Sequence, residues 1–308
     1  MSGEALRSVD LRKIYESRGT APVEALTGVS MEVHRGERVA LLGRNGAGKT
    51  TFLKIASTLL RPTSGSVEVF GFDVRDAPEK ARPYIAVVPQ EGKPFFHLTP
   101  REQIYTYLRA RGFSKETAKS RTEDAVERMG LTGFADRLSV TLSGGQRQRT
   151  MVATVIATES PLLFLDEPTI GMDPFARREV WASLRTLTQK GSTILLTTHY
   201  LDEAEVLSNR LYIVEQGRVL SSGTAEDLKR SVGGTIKVLM PEGAAQVDRF
   251  RSFGHCVTDG PALTVIVQPD VLGELMELTV RSELTATVGP VTLEEAFLRA
   301  VGRSIDAE

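Results

Sequence analysis

At 308 residues the chain is long enough for one large domain and a smaller one, and 41% hydrophobic with 25% charged residues fits an ordinary soluble globular protein, not a disordered or fibrous one. A formal net charge of -1, without any Lys/Arg-rich block, argues against a nucleic-acid footprint, although a local basic patch stays open. The single cysteine, Cys256, excludes an internal disulfide framework and a cysteine zinc cluster, so a reducing, cytoplasmic setting is expected and Cys256 reads as a small core hydrophobe.

The opening stretch MSGEALRSVDLRK is charged and lacks the apolar core of a secretory signal. No run approaches the roughly 20 apolar residues that span a bilayer. Any role at a membrane is therefore expected to be carried out from outside the lipid. ALRSVDLRKIY, VSMEV and ERVALLG read as short strands separated by polar turns. KTTFLKIASTLL carries a helical apolar stripe at Phe52, Leu53, Ile55, Ala56, Leu59 and Leu60, and SVEVFG and IAVVPQ are further strands. From about 98 to 140 the pattern becomes helical, with PREQIYTYLRARG and SKETAKSRTEDAVERMG each closed by glycine.

The alternation of strand and helix then resumes. A helix after LSGGQ, the strand PLLFLDEP, a helix containing REVWASLRTLTQKG, the strand STILLTTH, a helix around LDEAEVLSNR and the hairpin RLYIVEQGRVLSSG predict an α/β unit with a mostly parallel sheet covered on both faces. This domain is expected to end near residue 228. Beyond it, TIKVLM, ALTVIVQ and TATVG as strands, with QVDRFRSFG, DVLGELMELTVRSE and TLEEAFLRAVG as helices, predict a small C-terminal α+β domain over 229–308.

GRNGAGKT, residues 43–50, matches G-x-x-x-x-G-K-[ST] between a predicted strand and a predicted helix, the context in which glycines let backbone N–H groups and a helix N-terminus surround phosphate. Gly43, Arg44, Asn45, Gly46, Ala47 and Gly48 form that cradle. Lys49 is expected to reach the β- and γ-phosphates, Thr50 to ligate magnesium, and the Thr51 hydroxyl and amide to meet the α-phosphate. In PLLFLDEP, Asp166 ends an apolar strand where its carboxylate can hold a magnesium shell, and Glu167 is the candidate for polarising an attacking water. The plainer alternative for Glu167 is a solvated carboxylate at a strand end. His199 follows STILLTTH and is expected at the same carboxyl edge, although a surface histidine opening a helix fits the same residues. Gln90, ending IAVVPQ, can place an amide near the metal and the lytic water. His34, His97 and His255 have no such placement.

These residues together resemble the ATP-binding cassette family. GRNGAGKT is similar to its Walker A, Gln90 to its Q-loop glutamine, LSGGQ to its signature, LLFLDE to its Walker B with the catalytic Glu, Gly171-Met172-Asp173-Pro174 to its D-loop and His199 to its switch histidine, in family order over about residues 5–225. The resemblance implies an antiparallel N-terminal β subdomain and a helical insert around the parallel core, with ATP and Mg2+ as cofactors. It implies a head-to-tail dimer of two copies, in which Ser143, Gly144, Gly145 and Gln146 of one chain cap ATP held by the other's Walker A. It also implies that Asp173 orders the interface and that Tyr15 stacks on adenine; a buried strand tyrosine is the alternative.

TTHYLDEAE and the terminal VTLEEAFLRAVG resemble the export subfamily that includes daunorubicin-resistance, sodium-extrusion and lipid or oligosaccharide export ATPases. That resemblance implies a separately encoded transmembrane permease as partner and a place at the cytoplasmic side of the membrane, with no nucleic acid. EGKPFFHLTPREQ is the candidate permease contact, with Phe95 and Phe96 as surface anchors or, equally, as core residues beneath the insert. A soluble cassette ATPase acting on nucleic acid or ribosomes is the alternative, and the chain has neither the coiled coils nor the zinc modules of the repair types. A P-loop kinase has no use for LSGGQ. The C-terminal domain is expected to regulate, dimerise or stabilise.

Overall fold

The computed structural model describes residues 3–305 apart from 17, 18, 20 and 91, so Glu91 of the EGKPFFHLTPREQ stretch lies outside the described residues. The chain divides into two compact units, 1–219 and 220–308, a boundary ahead of the expected residue 228.

In the first unit β1 (Glu4–Tyr15) leads through β2 (Val23–His34) and β3 (Arg38–Leu42) to α1 (Lys49–Ala56); β4 (Ser64–Val69), β5 (Phe72–Asp73), the single turn α2 (Pro78–Ala81) and β6 (Ile85–Val88) follow. The insert supplies α3 (Pro100–Ala110) and α4 (Lys115–Arg128), capped by Thr99 and Ser114. Then come α5 (Gly144–Ile156), β7 (Leu162–Asp166), α6 (Pro174–Gln189), β8 (Thr193–Thr198), α7 (Leu201–Leu207), β9 (Arg210–Glu215) and β10 (Arg218–Gly223).

Two sheets organise these elements. β2-β1-β4-β5 is antiparallel throughout, and the larger sheet runs β10-β9-β3-β8-β7-β6, with β3 parallel to β8 and β9 and β7 parallel to β6 and β8. Every residue of β7 and β8 is buried, as the unbroken apolar runs LLFL and ILL require when both faces of a sheet are covered. Leu6, Leu11 and Val29 of the antiparallel sheet pack with Leu41, Phe52, Phe164 and Leu195 into one core. Parallel order has a functional consequence: the carboxyl ends of β3, β6, β7 and β8 emerge along one edge, where ligands of such sheets bind.

The helix expected over 49–60 stops at Ala56. Thr58 takes a left-handed φ of 64°, its N–H bonds the Ile55 carbonyl and Leu59 N–H bonds the Lys54 carbonyl, so a terminating double hydrogen bond overrides the apolar stripe that continues to Leu60. Phe95 and Phe96 are 67% and 47% exposed, which removes the core alternative for them.

The second unit contains α8 (Ala225–Arg230), β11 (Ile236–Met240), α9 (Val247–Phe250), β12 (His255–Asp259), β13 (Ala262–Val267), α10 (Leu272–Arg281), β14 (Thr287–Pro290) and α11 (Leu293–Ile305). Its antiparallel sheet, in the order β12-β13-β11-β14, packs Val238, Met240, Leu263, Val265 and Val267 against Phe250 and Leu275. The helix expected over 246–254 is a short turn, and β12 follows it unforeseen. Gly254 marks the switch, because a Cβ there would stand 2.0 Å from the Ile266 carbonyl oxygen of the neighbouring strand. Cys256, on β12, is half-buried and packs on the margin of this core, so it is less enclosed than expected.

Candidate functional site

The glycine-rich loop turns out of β3 and into α1, and two of its glycines are fixed by close approach. A Cβ at Gly43 would lie 2.3 Å from the Val214 carbonyl oxygen; at Gly48, whose φ is 100°, it would lie 2.5 Å from that of Ala25. Only glycine satisfies both the space and the left-handed backbone at position 48. The loop lines a cleft of about 330 Å³ with Tyr15, Val23, Ala25, Asn45, Gly46, Ala47, Gly48, Lys49, Thr50, Thr51, Gln90 and Glu167. Backbone N–H groups and the start of α1 converge there, the arrangement that binds phosphate.

Lys49 is buried, and its Nζ donates to the carbonyls of Gly43 at 2.7 Å and Arg44 at 3.0 Å, holding the ammonium across the loop's mouth. Burial pushes the Lys49 pKa down, and the carboxylates of Glu167, Asp166 and Glu215 pull it back. Tyr15, at the end of β1, is exposed and hydrogen-bonds the Thr51 hydroxyl at 3.4 Å, so the buried-tyrosine alternative does not hold.

Thr50 joins the loop to the neighbouring strands. Its hydroxyl lies 3.1 Å from Asp166 Oδ1 and 3.3 Å from Gln90 Oε1. Asp166 also accepts from the Thr197 hydroxyl at 2.5 Å, while its Oδ2 is buried with no hydrogen-bond partner. Burial pushes the Asp166 carboxyl up, hydrogen bonds from Thr197 and Thr50 lower it, and neighbouring Glu167 raises it again. An unsatisfied buried carboxylate oxygen beside a hydroxyl and an amide oxygen is a donor set suited to a hard divalent cation.

Glu167 sits one residue beyond the strand at a left-handed φ of 49°. Its N–H is held by the Thr197 carbonyl at 3.1 Å and hydroxyl at 3.0 Å, and the Gln148 amide on α5 lies 3.4 Å from the Glu167 and Pro168 carbonyls. An uncommon backbone conformation so pinned aims the side chain off the strand and into the cleft. His199, just past β8 and 36% exposed, places Nδ1 3.0 Å from the Glu167 carboxylate. Glu167 is therefore buried and oriented rather than a freely solvated strand-end carboxylate.

The signature residues stand apart from this cleft. Ser143 caps α5: its hydroxyl accepts from Gln146 N–H at 3.2 Å, and the Gln146 side chain accepts from Ser143 N–H at 3.0 Å. Ser143 and Gly144 are exposed, and none of Ser143, Gly144, Gly145 or Gln146 lines the cleft of its own chain. A Cβ on Gly144 would meet nothing within 4 Å, whereas one on Gly145 would lie 2.8 Å from the Gly171 carbonyl oxygen. Gly145 thus has a reason inside its own chain, which the sequence did not disclose. Asp173 is likewise engaged locally, capping α6 through bonds from Phe175 and Ala176 N–H at 2.9 and 3.0 Å.

Several contributors escaped sequence reasoning. Val23 and Ala25 line the cleft because β2 starts earlier than expected, a start that the alternation in VEAL foreshadows. Thr197 was signalled only by two hydroxyls closing an otherwise apolar strand. Glu203 gave no sign of its burial. It is wholly enclosed on α7, its Oε1 accepts from Thr169 Oγ1 at 2.8 Å and Trp181 Nε1 at 3.2 Å, and burial pushes its carboxyl up. Among the described residues no cluster of three or more His, Cys, Asp or Glu gathers around a single point.

A glycine-rich loop at a helix N-terminus, a strand-end acid pair and a histidine in contact with its second acid, on one edge of a parallel sheet, define a P-loop nucleotide hydrolase. The sequence profile of the family described as ABC transporter matches residues 26–170. The chain is 37% identical over 315 residues to the daunorubicin/doxorubicin resistance ATP-binding protein DrrA of Streptomyces peucetius, covering 98% of this chain and 94% of that one. It is 35% identical over 301 residues to the Nod factor export ATP-binding protein I of Burkholderia orbicola, covering 96% and 98%. Among solved structures it is similar to an ATP-binding subunit of an ABC transporter, at 32% identity and a TM-score of 0.66 over 74% of this chain and 93% of that one. A dimeric ATP-binding cassette in a post-hydrolysis state with ADP and Pi is similar at 27% identity and a TM-score of 0.66, covering 71% of this chain and 98% of that one. The chain belongs to the ATP-binding cassette family of transporter ATPases. It binds and hydrolyses ATP as the ATPase subunit of a transporter.

Proposed function

We propose that two copies of this chain close head to tail around two ATP–Mg2+ and thereby drive a separately encoded membrane permease, most simply an exporter of drugs, lipids or ions. The observation that carries the reading is the separation of the two anion-binding termini. One, at α1, is walled by its own chain; the other, at α5, is exposed at Ser143 and Gly144 with open space above it. A second copy supplies what each lacks.

In this reading the loop 43–51 and Lys49 hold the triphosphate and Tyr15 stacks on the base. Thr50, Asp166 and Gln90 would hold Mg2+, which supplies charge neutralisation to the β- and γ-phosphates when bound. Glu167 accepts the proton of the attacking water. His199 fixes the Glu167 carboxylate through Nδ1. The partner's Ser143 hydroxyl, which accepts within its cap, keeps its own O–H free to donate to phosphate. Loss of the γ-phosphate removes the charge that draws the two copies together, which makes hydrolysis an opening signal.

Export is supported by the relatives named for daunorubicin/doxorubicin resistance and Nod factor export. Among the described residues no helix is long and apolar enough to cross a membrane. In this reading the permease spans the lipid and this chain binds it peripherally from the cytoplasmic side. Phe95, Phe96, Leu138 and Val140 are exposed apolar residues, and Val140 N–H bonds the Phe96 carbonyl, so two segments of the insert meet in one patch. Such a patch is suited to a permease loop. Co-expression with the permease encoded beside it tests this: association is expected, and is expected to be lost when Phe95 and Phe96 are replaced by Ser. Undiminished association would remove the patch from the reading, and salt-sensitive binding to DNA or ribosomes in its place would favour the nucleic-acid alternative.

A further inference from the structure

We infer that Arg177 and Tyr200 are positioning residues that hold the ring of His199 against Glu167, an inference that rests on the site reading above. His199 is 36% exposed, and a side chain so open keeps its own rotamer freedom unless a neighbour removes it. The neighbour is Tyr200, whose ring centroid lies 4.1 Å from that of His199 at an interplanar angle of 38°. Tyr200 is itself held on both sides of its backbone. Its N–H bonds the Thr198 hydroxyl at 3.0 Å, and its carbonyl accepts Ala204 N–H in the first turn of α7.

The ring of Tyr200 is held by Arg177, whose guanidinium carbon stands 4.0 Å from the ring centroid. Arg177 Nε is buried without a hydrogen-bond partner, and the guanidinium has the Tyr200 ring face on one side and the charge of the Glu203 carboxylate within electrostatic range. Arg177 lies in the first turn of α6, with its N–H on the carbonyl of Asp173, the residue that caps this helix. A continuous set of contacts therefore runs from the exposed turn before α6, through a cation and two tilted rings in contact, to the carboxylate of Glu167. Its effect is to make the histidine's orientation depend on where α6 begins.

Steady-state ATPase kinetics of the full chain test the inference. Tyr200→Leu and Arg177→Met are expected to lower kcat about tenfold with the KM for ATP unchanged, while Tyr200→Phe, which keeps the ring, and Arg177→Lys, which keeps the cation, recover most of the rate. The double variant Arg177→Met/Tyr200→Leu is expected to lose no more than either single change, since both break one set of contacts. Wild-type kcat in both disruptive variants, while His199→Ala is slow, would overturn the pair's role and leave the site reading intact. Wild-type kcat in His199→Ala would instead overturn the site reading. A raised KM, or no recovery in Tyr200→Phe and Arg177→Lys, would mark the pair as merely structural and equally overturn the inference.

Discussion

His199 Nδ1 stands 3.0 Å from the Glu167 carboxylate, joining the ends of β8 and β7, which are neighbouring parallel strands. The contact fixes an acid whose backbone is already pinned by Thr197, so the carboxylate meets the cleft in one orientation. Removing its basicity while keeping its shape separates chemistry from binding. Glu167→Gln is expected to bind ATP as the wild type does and to lower turnover by about 10²–10⁴-fold, the range for a lost general base. Phosphate release and equilibrium ATP binding on the same preparation check it. Ordinary hydrolysis in this variant would mean another group activates the water.

The adjacent glycines of the signature answer to different constraints, and alanine distinguishes them. Gly145→Ala forces a Cβ to 2.8 Å from the Gly171 carbonyl oxygen and is expected to destabilise the isolated chain by about 1–3 kcal/mol. Gly144→Ala meets open space at the first position of α5, so its stability is expected to be unchanged or slightly higher, as alanine favours helix over glycine. If the proposed head-to-tail dimer forms, that same variant is expected to lose ATP-dependent dimerisation, because the added methyl would stand where the partner's triphosphate approaches. Thermal unfolding and sedimentation of both variants check the contrast. Equal destabilisation of both would assign the glycines to folding alone.

Glu203 makes stability depend on pH with a defined sign. Burial, partly offset by hydrogen bonds from Thr198, Thr169 and Trp181 and by the charge of Arg177, raises its folded-state pKa. The folded chain therefore binds this proton more tightly than the unfolded one. The contribution to stability is complete below the ordinary glutamate value of about 4.3 and is lost as pH rises through the raised folded value. Glu203→Gln, which is neutral throughout, is expected to lose less stability than the wild type as pH climbs through that window. Urea midpoints measured from acid to neutral pH check this; parallel curves for the two proteins would show that Glu203 does not titrate on folding.

How much of this was legible in the sequence depended on the range of the interaction. The strand, glycine loop and helix of 38–56 are written in contiguous residues, and so are the acid pair closing LLFL and the histidine closing TILLTT. The end of α1 at Ala56 was not, because a threonine in a left-handed conformation stopped an apolar stripe that local periodicity extends to Leu60. β12 was missed because its pairing partner, β13, decides its conformation. Glu203 and Gly145 were opaque for the same reason: what encloses them, Thr169 and Trp181 in one case and Gly171 in the other, comes from elsewhere in the chain.

The central claim is that each reaction centre is assembled from two chains, and mixing two defective variants tests it most directly. Lys49→Ala removes the cleft's ammonium and leaves the signature intact; Gly144→Ala does the reverse. Each alone is expected to be inactive. A mixed dimer pairs the sound cleft of one chain with the sound signature of the other, so combining the two purified proteins is expected to restore ATP hydrolysis. A mixture as inactive as its components, under conditions where dimers of the two form, would contradict the account.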